Sequence, residues 1–267
     1  MKPARFDYHA PERLDEVLEL LADDEHDVRV IAGGQSLVPM MNFRLAVPEV
    51  LVDLRRVEGL HQVEIDAGGA LEVGAAVTQA RVLRDARIKD GWPLLHEGIS
   101  HIGHPQIRSR GTVCGCLAHH DPHGELPALA VALDAELVVA GPHGRRTIPA
   151  EDFFASYYEV ALEPGELLVA ARFPAPAPDT GWGFAEITRR RGDFALVGVA
   201  CILPPGGEPR LAFFGVGDTP VLVTDPTAIS ESVAPLDDLH ASAQYRREAA
   251  VTLGEMVVAQ ARERSGA

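Results

Sequence analysis

The chain has 267 residues, of which 46% are hydrophobic and 24% charged, with three cysteines and a formal net charge of −15. That length allows one large domain or two smaller ones and a full core without staples, while the negative charge repels phosphate at long range and argues against nucleic acid or an anionic membrane as the main partner. Three cysteines make no disulfide framework, no window of about eighteen residues is uninterruptedly apolar, and Met1 to Ala10 carries Lys2, Arg5, Asp7 and His9 without an apolar run. The expectation is a chain of the reducing cytosol, with no signal peptide and no membrane span.

Leu14, Val17, Leu18 and Leu21 share one face of a helix expected over 11–24. Val28 to Ile31 reads as a short buried strand. Ala32, Gly33 and Gly34 follow, small enough for a bound group to lie against the backbone. Ser36 is a candidate N-cap for a helix from Leu37 to about Arg44, and Val50 to Leu54 closes a β-α-β unit with parallel strands. A strand, a small-residue turn and a helix start aim main-chain N–H groups at one point, which suits phosphate. A tight turn without a ligand fits the same residues.

Further along, Val63–Ile65 and Leu71–Val73 flank Asp66-Ala67-Gly68-Gly69 and read as a hairpin. Thr78 caps a helix reaching Ala86, and another starts at Trp92. The stretch 101–125, HIGHPQIRSRGTVCGCLAHHDPHGE, holds five histidines and two cysteines. It lacks both the helix spacing of a two-histidine zinc motif and the Cys-x₂-Cys pairs of structural zinc, so no metal is expected. Three cysteines also fall short of the four thiolates of an ordinary iron–sulfur cluster. A helix over 126–134, strands over 136–140 and 167–173, and the stiff PAPAPD segment at 174–179 come next. Beyond it lie three antiparallel strands (183–190, 195–203, 211–216) and a long final helix, about 241–264. The expected organisation is α+β, with domains at 1–176 (subdomains about 1–56 and 57–176) and 177–267.

Two phosphate-grade turns, Ala32–Ser36 and Thr112–Cys116, separated by αβ structure, suggest a dinucleotide clamped between two subdomains. AGGQS at 32–36, HPQIRSRGTVCG at 104–115, LAHHDPHGELPALAVALDAEL at 117–137, PGELL at 164–168 and RRRGDFALVGVA at 189–200 resemble, in order and spacing, the FAD-binding medium subunit of molybdenum hydroxylases. This is the group of carbon monoxide dehydrogenase and xanthine dehydrogenase. The resemblance implies a PCMH-type, vanillyl-alcohol-oxidase-like FAD domain and a C-terminal domain with a three-stranded sheet. It implies that Ala32, Gly33, Gly34, Gln35, Ser36 and Leu37 wrap the FAD pyrophosphate and that Thr112, Val113, Cys114, Gly115 and Cys116 form a second flavin loop. His119 would lie against the cofactor, Glu125 would hydrogen-bond its hydroxyls, Ile102 and Leu168 would pack on it, and Phe194 would cover the isoalloxazine.

No side chain stands out as nucleophile or general base, so the chemistry is that of the flavin. The resemblance further implies a large molybdenum-cofactor subunit and a small subunit with [2Fe–2S] clusters as partners, in a dimer of heterotrimers. A free-standing flavin oxidoreductase and a flavin-free binding protein of the same fold are the competing readings. Two departures from the family pattern stand out. Cys114 and Cys116 replace a small residue and a good hydrogen-bonding one, and the Cys114 side chain requires the turn to avoid positive φ or to carry strain. Ala185 and Glu186 stand where some members have a lysine near the flavin, and Glu186 is expected to point to solvent.

Overall fold

The structure, a computed structural model, describes residues 2–266. It opens with three short parallel strands, β1 (Asp7–His9), β2 (Val28–Ile31) and β3 (Val50–Asp53), in the spatial order β1-β3-β2. The helices α1 (Leu14–Leu21) and α2 (Leu37–Asn42) make the two crossovers. On α1 the predicted apolar face holds, with Val17 fully buried. Strand β2 matches its expected bounds but is only partly buried, with Arg29 exposed. Ser36 already has helical dihedrals (φ −99°, ψ −50°) and its hydroxyl makes no capping bond, so it is not the expected side-chain cap.

The middle of the chain builds a five-stranded antiparallel sheet around a helical layer. The hairpin of β4 (Val63–Ile65) and β5 (Leu71–Gly74) leads into α3 (Gln79–Arg84), α4 (Ala86–Gly91), α5 (Pro93–His101), α6 (Pro105–Arg108), α7 (Val113–His119) and α8 (Glu125–Ala132). Then come β6 (Glu136–Gly141), β7 (Gly144–Pro149), α9 (Ala150–Phe153), the small ladder of β8 (Phe154–Ser156) and β9 (Glu159–Val160), and β10 (Leu167–Phe173). The order is β4-β5-β10-β6-β7. Thr78 caps α3 as expected, its hydroxyl accepting from Arg81 N–H.

After the proline-rich segment, β11 (Gly181–Thr188), β12 (Ala195–Leu203), β13 (Arg210–Phe214) and β14 (Val221–Val223) form an antiparallel sheet of four strands, one more than expected. Helix α10 (Ile229–Ser232) and the long α11 (Ala243–Arg264) complete the chain. Successive residues point to opposite faces of a strand, and both faces of this sheet are covered. Val197, Val199, Cys201, Leu211 and Phe213 pack with α11, whereas Ala195, Ala200, Ala212 and Phe214 join the main core with α5 and α8. The mixture of helices with parallel and antiparallel sheets is the expected α+β class.

Candidate functional site

At the carboxyl ends of the parallel strands, where open α/β sheets generally bind ligands, the turn after β2 lines a cavity of about 360 Å3. Its walls include Ala32, Gly33, Gly34 and Gln35 from the turn and Tyr8, Asp53, Arg55 and Arg110 from elsewhere. Gly34 has a φ of +72°, a conformation that a side chain rarely tolerates. Gly33 leaves no room for one: a Cβ there would collide with the Arg110 carbonyl and stand 2.7 Å from Gly111 Cα. The main-chain N–H groups of Gly33, Gly34, Gln35 and Ser36 have no acceptor among the described residues. Free N–H groups beside a cavity are anion ligands in waiting.

Arg110 adds the cation. Its side chain is exposed and has no ion-pair or hydrogen-bond partner among the described residues. Arg55, by contrast, is committed. Its Nε donates to Asp53 Oδ2 (2.8 Å), and Tyr8 Oη donates to the same oxygen (2.6 Å). Burial would raise the Asp53 carboxyl, but these hydrogen bonds outweigh it and hold the group below its ordinary value. Asp53 is therefore a charged, saturated anchor that fixes Tyr8 and Arg55 at the cavity wall.

The second predicted loop is not a loop. Thr112 is the N-cap of α7, its hydroxyl accepting from Gly115 N–H at 3.0 Å, and Val113 to His119 are helical. Val113 N–H donates to Val77 O and Cys116 N–H to Thr112 O, so most of this backbone is already satisfied. Cys114 sits in the helix without positive φ, which removes the expected conflict between its side chain and the turn. Its thiol is buried in the core, donates to Val73 O at 3.5 Å, and is pushed up to about 12 by burial. Cys116 is only partly buried, and burial together with Glu125 and Asp121 raises its thiol.

The two segments nevertheless meet. A Cβ on Gly115 would lie 3.3 Å from Ala32 Cβ, so the start of α7 supports the first turn from behind. Thr112, Val113 and Cys114 are buried in that support. Ser36 and Leu37 begin α2 and do not line the cavity, whereas Val38 and Pro39 do. Leu168 lies in β10 within the main core and Ile102 caps α5, both buried and neither in the cavity wall. His119, at the last position of α7, packs its ring at a tilt of 42° against Tyr158 with centroids 5.2 Å apart, and burial lowers its affinity for a proton.

Glu125 is 4% exposed at the start of α8. Burial pushes its carboxyl up to about 8; its own backbone N–H and His101 oppose the rise, and Glu186 adds to it. Glu186 does not point to solvent. Its side chain is 8% exposed, with Oε1 3.2 Å from His101 Nδ1 and Oε2 buried without a partner. The reason is strand parity: Glu186 shares the face of Phe184, which α5 and α8 cover. Phe194 lies in the turn between β11 and β12 and is 61% exposed, the opposite of a core residue. That turn rests on the α5–α6 connection, because a Cβ on Gly192 would stand 3.0 Å from Gly103 O.

Sequence reasoning missed Tyr8, Asp53, Arg55 and Arg110. A carboxylate at the end of a parallel strand was the available signal for Asp53, and Arg55 follows two residues on; Tyr8 and Arg110 are brought in by contacts remote in sequence.

A glycine turn with free N–H groups, a cavity and an unpaired arginine define an anion-cradling α+β protein with the donors a dinucleotide pyrophosphate needs. The comparisons with known proteins then fix the family. Residues 4–176 match the model described as the FAD binding domain in molybdopterin dehydrogenase, and the chain belongs to that family. It is 36% identical to the 6-hydroxypseudooxynicotine dehydrogenase complex subunit alpha of Paenarthrobacter nicotinovorans, over 99% of this chain and 97% of that one. It is 35% identical to the carbon monoxide dehydrogenase medium chain of Afipia carboxidovorans, over 99% of both chains. The solved carbon monoxide dehydrogenase of Hydrogenophaga pseudoflava superposes with a TM-score of 0.95 at 33% identity, covering 100% of each chain. The chain is thus an oxidoreductase subunit whose own cofactor is FAD.

Proposed function

We propose that this chain is the FAD-carrying electron-transfer subunit of a molybdenum-containing hydroxylase complex, and that the cavity beside Gly33 holds the FAD pyrophosphate. The observation that carries the site is the row of unpaired N–H groups from Gly33 to Ser36, of which Gly33, Gly34 and Gln35 line a cavity that Arg110 also lines. The FAD held there would supply electron transfer between the [2Fe–2S] clusters of a small partner subunit and an external acceptor.

The chain's own residues bind and orient. The Gly33–Ser36 N–H groups and Arg110 neutralise the pyrophosphate, a charge-assisted contact stronger than a neutral one. Ala32, Gln35 and Leu37 shape the rest of the first turn, and Thr112 to Cys116 hold it in place. Glu125, kept protonated by burial near neutral pH, can donate to a hydroxyl or carbonyl oxygen of the cofactor. His119, Ile102 and Leu168, none of which lines the cavity beside Gly33, pack against more distant parts of the cofactor, and Phe194 offers its ring face to the isoalloxazine. Nothing here hydroxylates a substrate; that chemistry belongs to a large molybdenum-cofactor subunit.

The assembly is a dimer of heterotrimers in the cytoplasm, and the chain divides near 176 into an FAD-binding domain (1–176) and a C-terminal domain (177–267). No helix among the described residues is long and apolar enough to cross a membrane. The test is co-expression with candidate large and small subunits, followed by absorption spectroscopy and sizing. A yellow chain that joins both subunits supports the reading. A colourless chain that takes up no FAD at saturating concentration overturns it.

A further inference from the structure

Arg246 is 2% exposed and is the largest fully buried side chain among the described residues. It reaches from α11 into the base of the C-terminal sheet. Nη1 donates to the carbonyls of Leu196 and Gly215, the latter at 3.3 Å, and Nη2 donates to Asp238 Oδ2 at 2.6 Å. Burying a guanidinium is costly unless it is paired and hydrogen-bonded, and Arg246 spends this position on main-chain carbonyls. Those carbonyls are not arbitrary. Leu196 lies two residues after Phe194. Gly215 N–H donates to Pro122 O at 2.9 Å, and His123 Nδ1 donates to Ala195 O at 2.8 Å, so the segment leading to Glu125 is tied to the same point.

The other arm leads to the opposite end of the same turn. Asp238 Oδ1 accepts from the N–H groups of His240 and Ala241 at 2.8 and 2.9 Å, and Arg189 Nη1 lies 3.1 Å from His240 Nδ1. Arg189 begins the turn and Leu196 follows it. Phe194 itself is 61% exposed, so little packing fixes its ring, and its place is set by the backbone that carries it.

We infer that Arg246 is a positioning residue that holds the Arg189–Leu196 turn at both ends and so fixes where Phe194 presents its ring. The inference rests on the reading of Phe194 as the isoalloxazine cover. A lysine cannot reproduce it, because one ammonium replaces a planar fork that spans two carbonyls and a carboxylate.

The test uses the full chain loaded with FAD, as wild type, F194A, R246K and the double variant, read by visible circular dichroism of the bound flavin and by the FAD dissociation constant. F194A is expected to weaken FAD about three- to tenfold and to alter the flavin dichroism. R246K is expected to change both in the same direction, and the double variant to match F194A alone. If R246K does not fold, D238N, which removes the partner of Nη2, replaces it with the same expectation. A lowered melting temperature with wild-type flavin dichroism and affinity, or additive effects in the double variant, overturns the positioning role. A silent F194A overturns the reading of Phe194 and this inference with it, whereas an active F194A with a silent R246K overturns this inference alone.

Discussion

Gly33 and Arg110 touch through their backbones: the space a Gly33 side chain needs is filled by the Arg110 carbonyl and by Gly111 Cα, 2.7 Å from the ideal Cβ position. The first turn and the lead-in to α7 are therefore a single packed unit. Gly33→Ala should separate them, at a cost of about 1–3 kcal/mol for overpacking against main chain that has no rotamer to change. The expected result is a lower melting temperature and loss of FAD stoichiometry. Gly33→Asp should lose FAD more completely, because it also places a negative charge beside the proposed pyrophosphate site. Gly34→Ala meets only the ends of the Ile31 and Val38 side chains at 3.1 Å, but its φ of +72° adds backbone strain of about 1–2 kcal/mol, so it too should lower the melting temperature. A Gly33→Ala protein with full FAD content and unchanged melting would refute this packing.

Arg110 is the cavity cation without a partner, so its removal should leave the apo fold intact and act on the ligand. Arg110→Ala is expected to weaken FAD about ten- to a hundredfold, the size of one charge-assisted hydrogen bond. Titration of FAD by fluorescence quenching, beside a melting curve of the apo chain, separates the two effects. An equal loss in apo stability and no loss in affinity would remove Arg110 from the site.

Cys114 belongs to the core. Cys114→Ala should be nearly neutral, whereas Cys114→Gly adds the helix penalty of glycine, about 1 kcal/mol, to the lost packing. Neither should shift the FAD dissociation constant by more than about twofold. Paired denaturation and FAD titrations of the two variants check this, and a large affinity loss in Cys114→Ala would give the thiol a direct role.

Glu125 links stability to pH. Burial raises its carboxyl to about 8 from an ordinary value near 4.5, so the folded state holds a proton that the unfolded state has lost. Between these values stability must fall as pH rises, by up to about 1.4 kcal/mol per pH unit, and it is untouched below the lower one. Glu125→Gln should flatten the decline between about pH 5 and 8 and raise the melting temperature at the upper end. Denaturant titrations of the apo protein across this range measure it, and an unchanged slope in Glu125→Gln would assign the effect elsewhere.

Much of the fold was legible where the sequence carries a period or a cap. Strands β2, β10 and β12 fall at their expected bounds, and Thr78 caps its helix as read. The losses have physical reasons. Asp7-Tyr8-His9 has no apolar alternation, because β1 pairs through its backbone with its side chains exposed. Strand β7 is an edge whose Arg145, Arg146 and Thr147 face water, which reads as loop. Val221–Val223 is too short to show a period. Glu186, expected to point to solvent, is buried because this sheet is covered on both faces. In the site, the glycine turn was visible because backbone requirements leave a residue signature. The Tyr8–Asp53–Arg55 cluster left only a carboxylate at a strand end, since Tyr8 meets the locally paired Asp53 and Arg55 only after the parallel strands have assembled.

The two-sided burial of the C-terminal sheet has a consequence for the family-matched region, which ends at residue 176. Helix α8 is buried at every position from Glu125 to Ala132, and part of its cover is Ala200, Ala212 and Phe214 from beyond that boundary. A chain cut at the proline-rich segment would expose this apolar helix to water. Residues 177–267 thus act toward the cofactor-binding portion as a subunit tethered by its own peptide bond, always at saturating local concentration. If Phe194 covers the isoalloxazine as proposed, the polypeptide must be complete before both sides of the flavin are dressed.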